Sequence, residues 1–284
     1  MGRRNNSQRT RAPQADAPTP PVTKSGNNSL FSFVTPTEFV ELPSGGSYYP
    51  EGHPLAGVDT IEIRHMTAKE EDILTSETLL RKGLAIDRLL QSVILDENIQ
   101  VDSLLIGDKN ALLVACRITG FGSMYETNVS CPTCSETNEQ EFDLEALTHV
   151  TPGEMPEGVR LNDENNFVMT LPTTSIEAEV RLLTGHDERT LAEATEKKKK
   201  LKLPDTRSTD LLKIVIVSLN DQTDRGDIDK FISLMPLRDV KYLRKVYEKI
   251  KPDVDVSYDF ECEHCDHVGK VVMPLTAQFF WPNT

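Results

Sequence analysis

The sequence predicts an α+β fold of two tandem pseudo-repeated units, each running strand, helices and then a β-hairpin, behind a disordered N-terminal tail. Three observations predict it. The same residues recur in the same order in the two halves of the chain. Each half closes on a Cys-x-x-Cys turn between alternating strands. The first 28 residues carry few large apolar side chains. The boundaries drawn from these features are a basic tail over 1–28, an extended docking arm over 29–58 and a first unit over 59–150. A linker and strand over 151–175 then lead to a second unit over 176–284 that ends in an aromatic tail.

The tail is set apart by charge. Residues 1–26 hold Arg3, Arg4, Arg9, Arg11 and Lys24 against Asp16, a net +4; subtracting this from the −14 of all 284 residues leaves −18 for the remainder. A segment so poor in apolar side chains cannot offset its ordering entropy by burial. It reads as a basic arm for an acidic partner or as a solubilising tail.

The next stretch, Leu42–Leu55, holds three prolines and three glycines, which forbid helix. Tyr48, Tyr49 and Leu55 still require burial there. The segment is therefore an arm laid over a neighbour's surface or a loop on its own domain.

The repeat begins beyond it. Ile61–Glu71 lies over Ala178–Glu188 at an offset of 117, with Glu62/Glu179, Arg64/Arg181, Thr67/Thr184 and Glu71/Glu188 identical. Each stretch alternates like a strand and then reaches a Thr followed three residues later by an acid. Thr67 with Glu70 is a capping-box pattern that starts a helix, and Thr184 with Asp187 is a weaker version of it. Leu90–Ile94 and Leu212–Ile216 match next and read as buried helix segments. Asp108 and Leu112 match Asp239 and Leu243 at an offset of 131, each early in a helix: about 108–119 in one half and Leu237–Ile250 in the other. Cys131 and Cys134 match Cys262 and Cys265, again at 131. An offset that grows in steps is what loop insertions produce.

The cysteines carry the sharpest chemistry. Two residues between thiols let both sulfurs of a tight turn face one metal, and four thiolates complete the tetrahedron of zinc. The two pairs stand too far apart in sequence for a local ribbon, but a pairing of the two halves brings them together. Cys131, Cys134, Cys262 and Cys265 are therefore the expected ligands of one structural zinc in a shared zinc-ribbon-like site. The alternatives are redox chemistry, for which neither pair opens a helix in a βαβ unit, and disulfides. His264 and His267 are expected to be surface residues of the knuckle, and Cys116 a buried thiol.

Composition excludes other classes. A core charge of −18 argues against a general nucleic-acid binder, although a zinc-ribbon protein of the transcription machinery stays a distant alternative. No apolar run approaches the roughly 18 residues of a membrane span. No apolar stretch follows the N-terminal arginines as an export signal requires. His65, His149 and His186 have no catalytic companions, and no base, nucleophile and oxyanion set occurs together; no enzymatic activity and no small-molecule substrate are expected. The acidic group Asp221, Asp224, Asp227 and Asp229 lacks a calcium-loop register. Lys197–Lys200 reads as a solvated helix face with i,i+4 pairs. The aromatics Phe279, Phe280 and Trp281 must fold onto a core or dock on another subunit.

Phe39–Pro50, Ile61–Leu74 and the closing Val271–Pro282 together resemble the baseplate hub and hub-assembly protein family of T4-like contractile-tailed bacteriophages. The resemblance spans residues 30–284 and leaves out the arginine-rich tail. It implies a non-enzymatic role in tail and baseplate morphogenesis, in the virion and in the infected host's cytoplasm. Hub, wedge or tape-measure proteins would be the partners. It covers both a permanent hub component and a transient assembly chaperone. Tyr48, Tyr49, Phe279, Phe280 and Trp281 are the candidate docking residues.

Overall fold

The structure, a computed structural model, describes residues 35–273 and 275–280; the tail over 1–28 and Trp281 lie outside them. Strands and helices are both abundant, as an α+β fold requires.

The chain starts with strand β1 (Thr37–Glu41), which pairs antiparallel with β2 (Thr60–Arg64). Turns fill residues 43–57 between them. Leu42, Tyr49 and Leu55 from this stretch are buried in the chain's own core. The arm drawn over 29–58 is thus, in its described part, one strand and the loop of a hairpin. Gly46 lets the loop close: its φ is +70°, and a Cβ there would stand 2.4 Å from the Val58 nitrogen.

Three helices follow: α1 (Ala68–Thr75), α2 (Glu77–Lys82) and α3 (Ala85–Val93). The capping box forms at the start of α1, with Thr67 N and Oγ1 both donating to Glu70 Oε2, at 2.9 and 2.7 Å. Arg64, ending β2, closes on the same carboxylate with Nη1 and Nη2 at 3.0 and 2.7 Å. Helix α4 (Ile106–Phe121) is buried on most sides, as an apolar helix in the middle of a core must be. Its Asp108 accepts from Ser44 N at 2.9 Å, Ser44 Oγ at 2.6 Å and Tyr49 Oη at 2.7 Å, tying the hairpin loop to the helix.

A hairpin of β3 (Met124–Ser130) and β4 (Thr137–Asp143) comes next, then the single turn α5 (Leu144–Leu147) and β5 (His149–Thr151). In the second half, β6 (Val159–Leu161), β7 (Phe167–Thr170), β8 (Glu177–Val180) and β9 (Ile216–Leu219) form one antiparallel sheet in that order. The predicted linker over 151–175 therefore contributes two strands of this sheet. Between β8 and β9 lie α6 (Gly185–Lys200) and α7 (Arg207–Val215). Thr184 caps α6 through Asp187 Oδ2, with N at 2.9 Å and Oγ1 at 3.0 Å, and Arg181 Nη1 and Nη2 reach Asp187 at 2.7 and 2.9 Å. The shorter Asp thus serves as the Glu does at α1.

The expected helix over Leu212–Ile216 stops at Val215. Ile216 opens β9, because β-branched residues facing β8 gain a strand's packing there. Ile94 does the corresponding thing on a smaller scale, leaving α3 to bridge Ile63. Helices α8 (Arg225–Leu234) and α9 (Leu237–Ile250) lead to β10 (Asp253–Asp255) and a second hairpin of β11 (Ser257–Glu261) and β12 (Val268–Val272). Asp239 in α9 accepts from Thr173 N at 2.7 Å and from Thr174 N and Oγ1 at 3.1 and 2.9 Å, again joining a loop to a helix.

Beyond the hairpin tips, the halves meet at several places, these three among them. Leu105 bridges Thr184, with Ile106 N donating to Leu183 O and Gly185 N to Leu104 O. Buried Lys109 of α4 pairs with Asp87 at 2.7 Å and with Glu188 of α6 at 2.8 Å. Strand β5 pairs antiparallel with β10, which sets the two hairpins side by side.

Candidate metal centre

Each hairpin alternates, so one face is buried and the other open to water. Tyr125 and Phe142 stand opposite one another on the inner face of the first hairpin, and Tyr258 and Phe260 line the inner face of the second. The Phe142 and Tyr258 rings sit 4.0 Å apart between centroids, and Tyr125 packs on Phe279 at 5.2 Å. This aromatic layer fixes the hairpins to each other. At their tips it brings the two Cys-x-x-Cys turns together.

All four sulfurs lie within 4.8 Å of one another. Cys131 Sγ is 3.7 Å from Cys265 Sγ, and Cys134 Sγ is 3.7 Å from Cys262 Sγ. Four sulfurs about 2.3 Å from one tetrahedral ion stand roughly 3.8 Å apart, the separation seen in the Cys131–Cys265 and Cys134–Cys262 pairs. A disulfide needs about 2.05 Å, and the five cysteines are free thiols. Backbone donors face the sulfurs: Thr133 N to Cys131 Sγ and His264 N to Cys262 Sγ, both at 3.4 Å. Burial opposes ionisation of Cys131, and the N–H groups of Cys134 and Thr133, together with the neighbouring Cys134 and Cys262 thiols, outweigh it and lower its pKa. Four sulfurs this close together can hold a metal ion.

His264 is exposed and His267 half-buried, its Nδ1 3.0 Å from Thr133 Oγ1, so His267 links the knuckles outside the sulfur set. Cys116 lies deep in α4, its thiol pushed up to about 12 by burial, with no other thiol beside it.

The docking residues fall differently. Tyr49 is buried and donates to Asp108; Phe279 and Phe280 are buried against Tyr125 and Phe121. Folding onto the chain's own core, the alternative to docking, accounts for these three rings, because a side chain that fills the core is not free to fill a partner's pocket. Tyr48 is half-exposed, with its ring 5.3 Å from Phe167. Of the runs read as solvated, Lys200 pairs with Glu196 at i,i+4 and Lys198 with Asp210.

The residue that sequence reasoning missed is Asn138, buried behind the sulfurs. Its one signal is position: an inward-facing amide in the strand that leaves the first turn.

Two hairpins joined at a four-thiol cluster define a candidate metal site that ties the two halves of the chain together. The chain belongs to the T4 bacteriophage base plate protein family, whose model matches residues 35–281. It is thus a structural protein of a T4-like phage baseplate, and the family places it in the virion tail among other tail proteins. No curated protein and no solved structure matches the chain. Among the described residues, no helix is long and apolar enough to cross a membrane.

Proposed function

We propose that this protein is a non-enzymatic component of the baseplate hub, acting through contacts with other hub, wedge or tape-measure proteins. One structural zinc held by Cys131, Cys134, Cys262 and Cys265 staples its two halves. The observation that carries this reading is the convergence of four sulfurs from turns 131 residues apart at the spacing a tetrahedral ion requires. The ion would contribute folding free energy and fix the relative position of the hairpins, which a load-bearing assembly needs rigid.

The two halves are read as an internal duplication. Support comes from paired details: Arg64, Thr67 and Glu70 make the same set of bonds as Arg181, Thr184 and Asp187, each 117 residues on. Asp108 and Asp239 likewise each receive a loop that follows a Leu-Pro pair, Leu42-Pro43 and Leu171-Pro172. Partner contact is proposed at half-exposed Tyr48 and at Trp281.

Metal analysis of the purified chain combined with mass spectrometry of purified phage particles tests the proposal. One zinc per chain, and the chain present in mature particles, is the expected result. A metal-free folded chain overturns the zinc reading. Absence from mature particles replaces the hub component with the transient assembly chaperone.

A further inference from the structure

We infer that Asn138 is a positioning residue of this metal centre: it reaches from the first hairpin to the second knuckle and holds Cys262 in its ligand direction. The inference rests on the four-thiol reading above and extends it to a residue that is not a ligand.

Asn138 is the second residue of β4, where the chain leaves the first Cys-x-x-Cys turn, and it is buried. Its Nδ2 donates to Cys262 Sγ at 3.7 Å and to Glu136 O at 3.2 Å, while its Oδ1 accepts from Glu263 N at 2.7 Å. The amide orientation is fixed by this set, because the reverse would turn an NH2 group against the Glu263 N–H. A buried amide with both its donors and its acceptor used is a rigid part.

The contact is one-sided. The position 131 residues on, at the matching place in the second hairpin, is Gly269, which has no side chain to return it. A Cβ there would already stand 3.1 Å from His267 Nε2. So the second knuckle is held by the first half through Glu263 N–H and the Cys262 sulfur, whereas the second half reaches the first knuckle through His267, at the Thr133 hydroxyl.

Two consequences follow from the chemistry. An N–H aimed at a metal-bound thiolate draws charge from the sulfur and restrains its direction. Groups of this kind behind metal ligands are worth about 10–100-fold in metal affinity. Pinning Glu263 also presets the turn that presents Cys262 and Cys265 together.

The test uses the full-length chain with Asn138→Ala and Asn138→Asp. Asp keeps an acceptor for Glu263 N–H but has no donor for the sulfur, and it adds a negative charge beside the thiolates. Cobalt(II) substitution reads the sulfur-to-metal charge-transfer band, and zinc loss to a chelator reads retention. Both variants are expected to shift the band and to lose zinc about 10–100-fold more readily than the unaltered chain. An unshifted band with unchanged zinc retention in both variants overturns the inference and leaves the four-thiol site standing. An unaltered chain that takes up no metal overturns both. If the variants do not fold, amide hydrogen exchange in the zinc-loaded natural sequence decides. Glu263 N–H is expected to be strongly protected, and free exchange there overturns the inference.

Discussion

Cys131 Sγ and Cys265 Sγ lie 3.7 Å apart although 134 residues separate them. That closeness is made by the aromatic layer between the hairpins and by the β5–β10 pairing, since neither turn touches the other in sequence. The cluster is thus a point where the tertiary fold can be locked or released.

Removing one ligand should release it. Cys262→Ser or Cys131→Ser is expected to lose the metal and to destabilise the chain by several kcal/mol, since binding free energy is folding free energy at such a site. Cys116→Ser, buried elsewhere, is expected to keep the metal. Zinc content and thermal melting with and without chelator check this.

The loop–helix anchors should matter as much as a core residue. Asp108→Ala leaves Ser44 N–H, Ser44 Oγ and Tyr49 Oη without their acceptor in a buried place. A loss of about 3 kcal/mol is expected. Tyr49→Phe removes one of these three bonds and also the acceptor of the buried Leu105 N–H, which donates to Tyr49 Oη at 3.1 Å, and should cost about 2 kcal/mol. Urea unfolding of the two variants gives both numbers.

Acid should loosen the start of α1. Burial pushes the Glu70 carboxyl up, but the hydrogen bonds from Arg64 and Thr67 outweigh it and bring it from 4.5 down to about 2. The unfolded chain therefore takes up this proton first. The stability Glu70 contributes is complete above about pH 4.5 and is lost as pH falls towards about 2. Urea midpoints measured across that range should fall more steeply for the natural sequence than for Glu70→Gln, which has no proton to gain there.

Gly107 marks a close approach between the halves. A Cβ on it would stand 2.1 Å from the Pro252 carbonyl oxygen, backbone that cannot turn aside. Gly107→Ala is expected to cost about 2 kcal/mol or more by forcing α4 off the segment before β10. Gly52→Ala, with nothing near its Cβ, pays only for its φ of +85° and should cost about 1 kcal/mol. Comparison of the two melting temperatures decides it.

The C-terminal aromatics should behave as core. Phe279→Ala is expected to lose about 3–5 kcal/mol of folding stability, because its ring is buried against Tyr125 and Phe280. A variant that folds normally but fails to assemble with partners would return Phe279 to the docking surface.

The sequence by itself determined whatever depends on neighbours a few residues apart. The Thr67 and Thr184 caps, the helix Leu237–Ile250, the strands flanking each Cys-x-x-Cys turn and the four candidate ligands all rest on short spacing, and all of them are in the structure. Tertiary structure decided the rest. Whether Tyr49, Phe279 and Phe280 face a partner or a core depends on which distant surface covers them. Ile216 leaves its helix because β8 is beside it. Asn138 matters only because Glu263 and Cys262 arrive from 125 and 124 residues away. Local pattern sets backbone conformation through sterics and capping, whereas burial and long-range hydrogen bonds are properties of the packed whole.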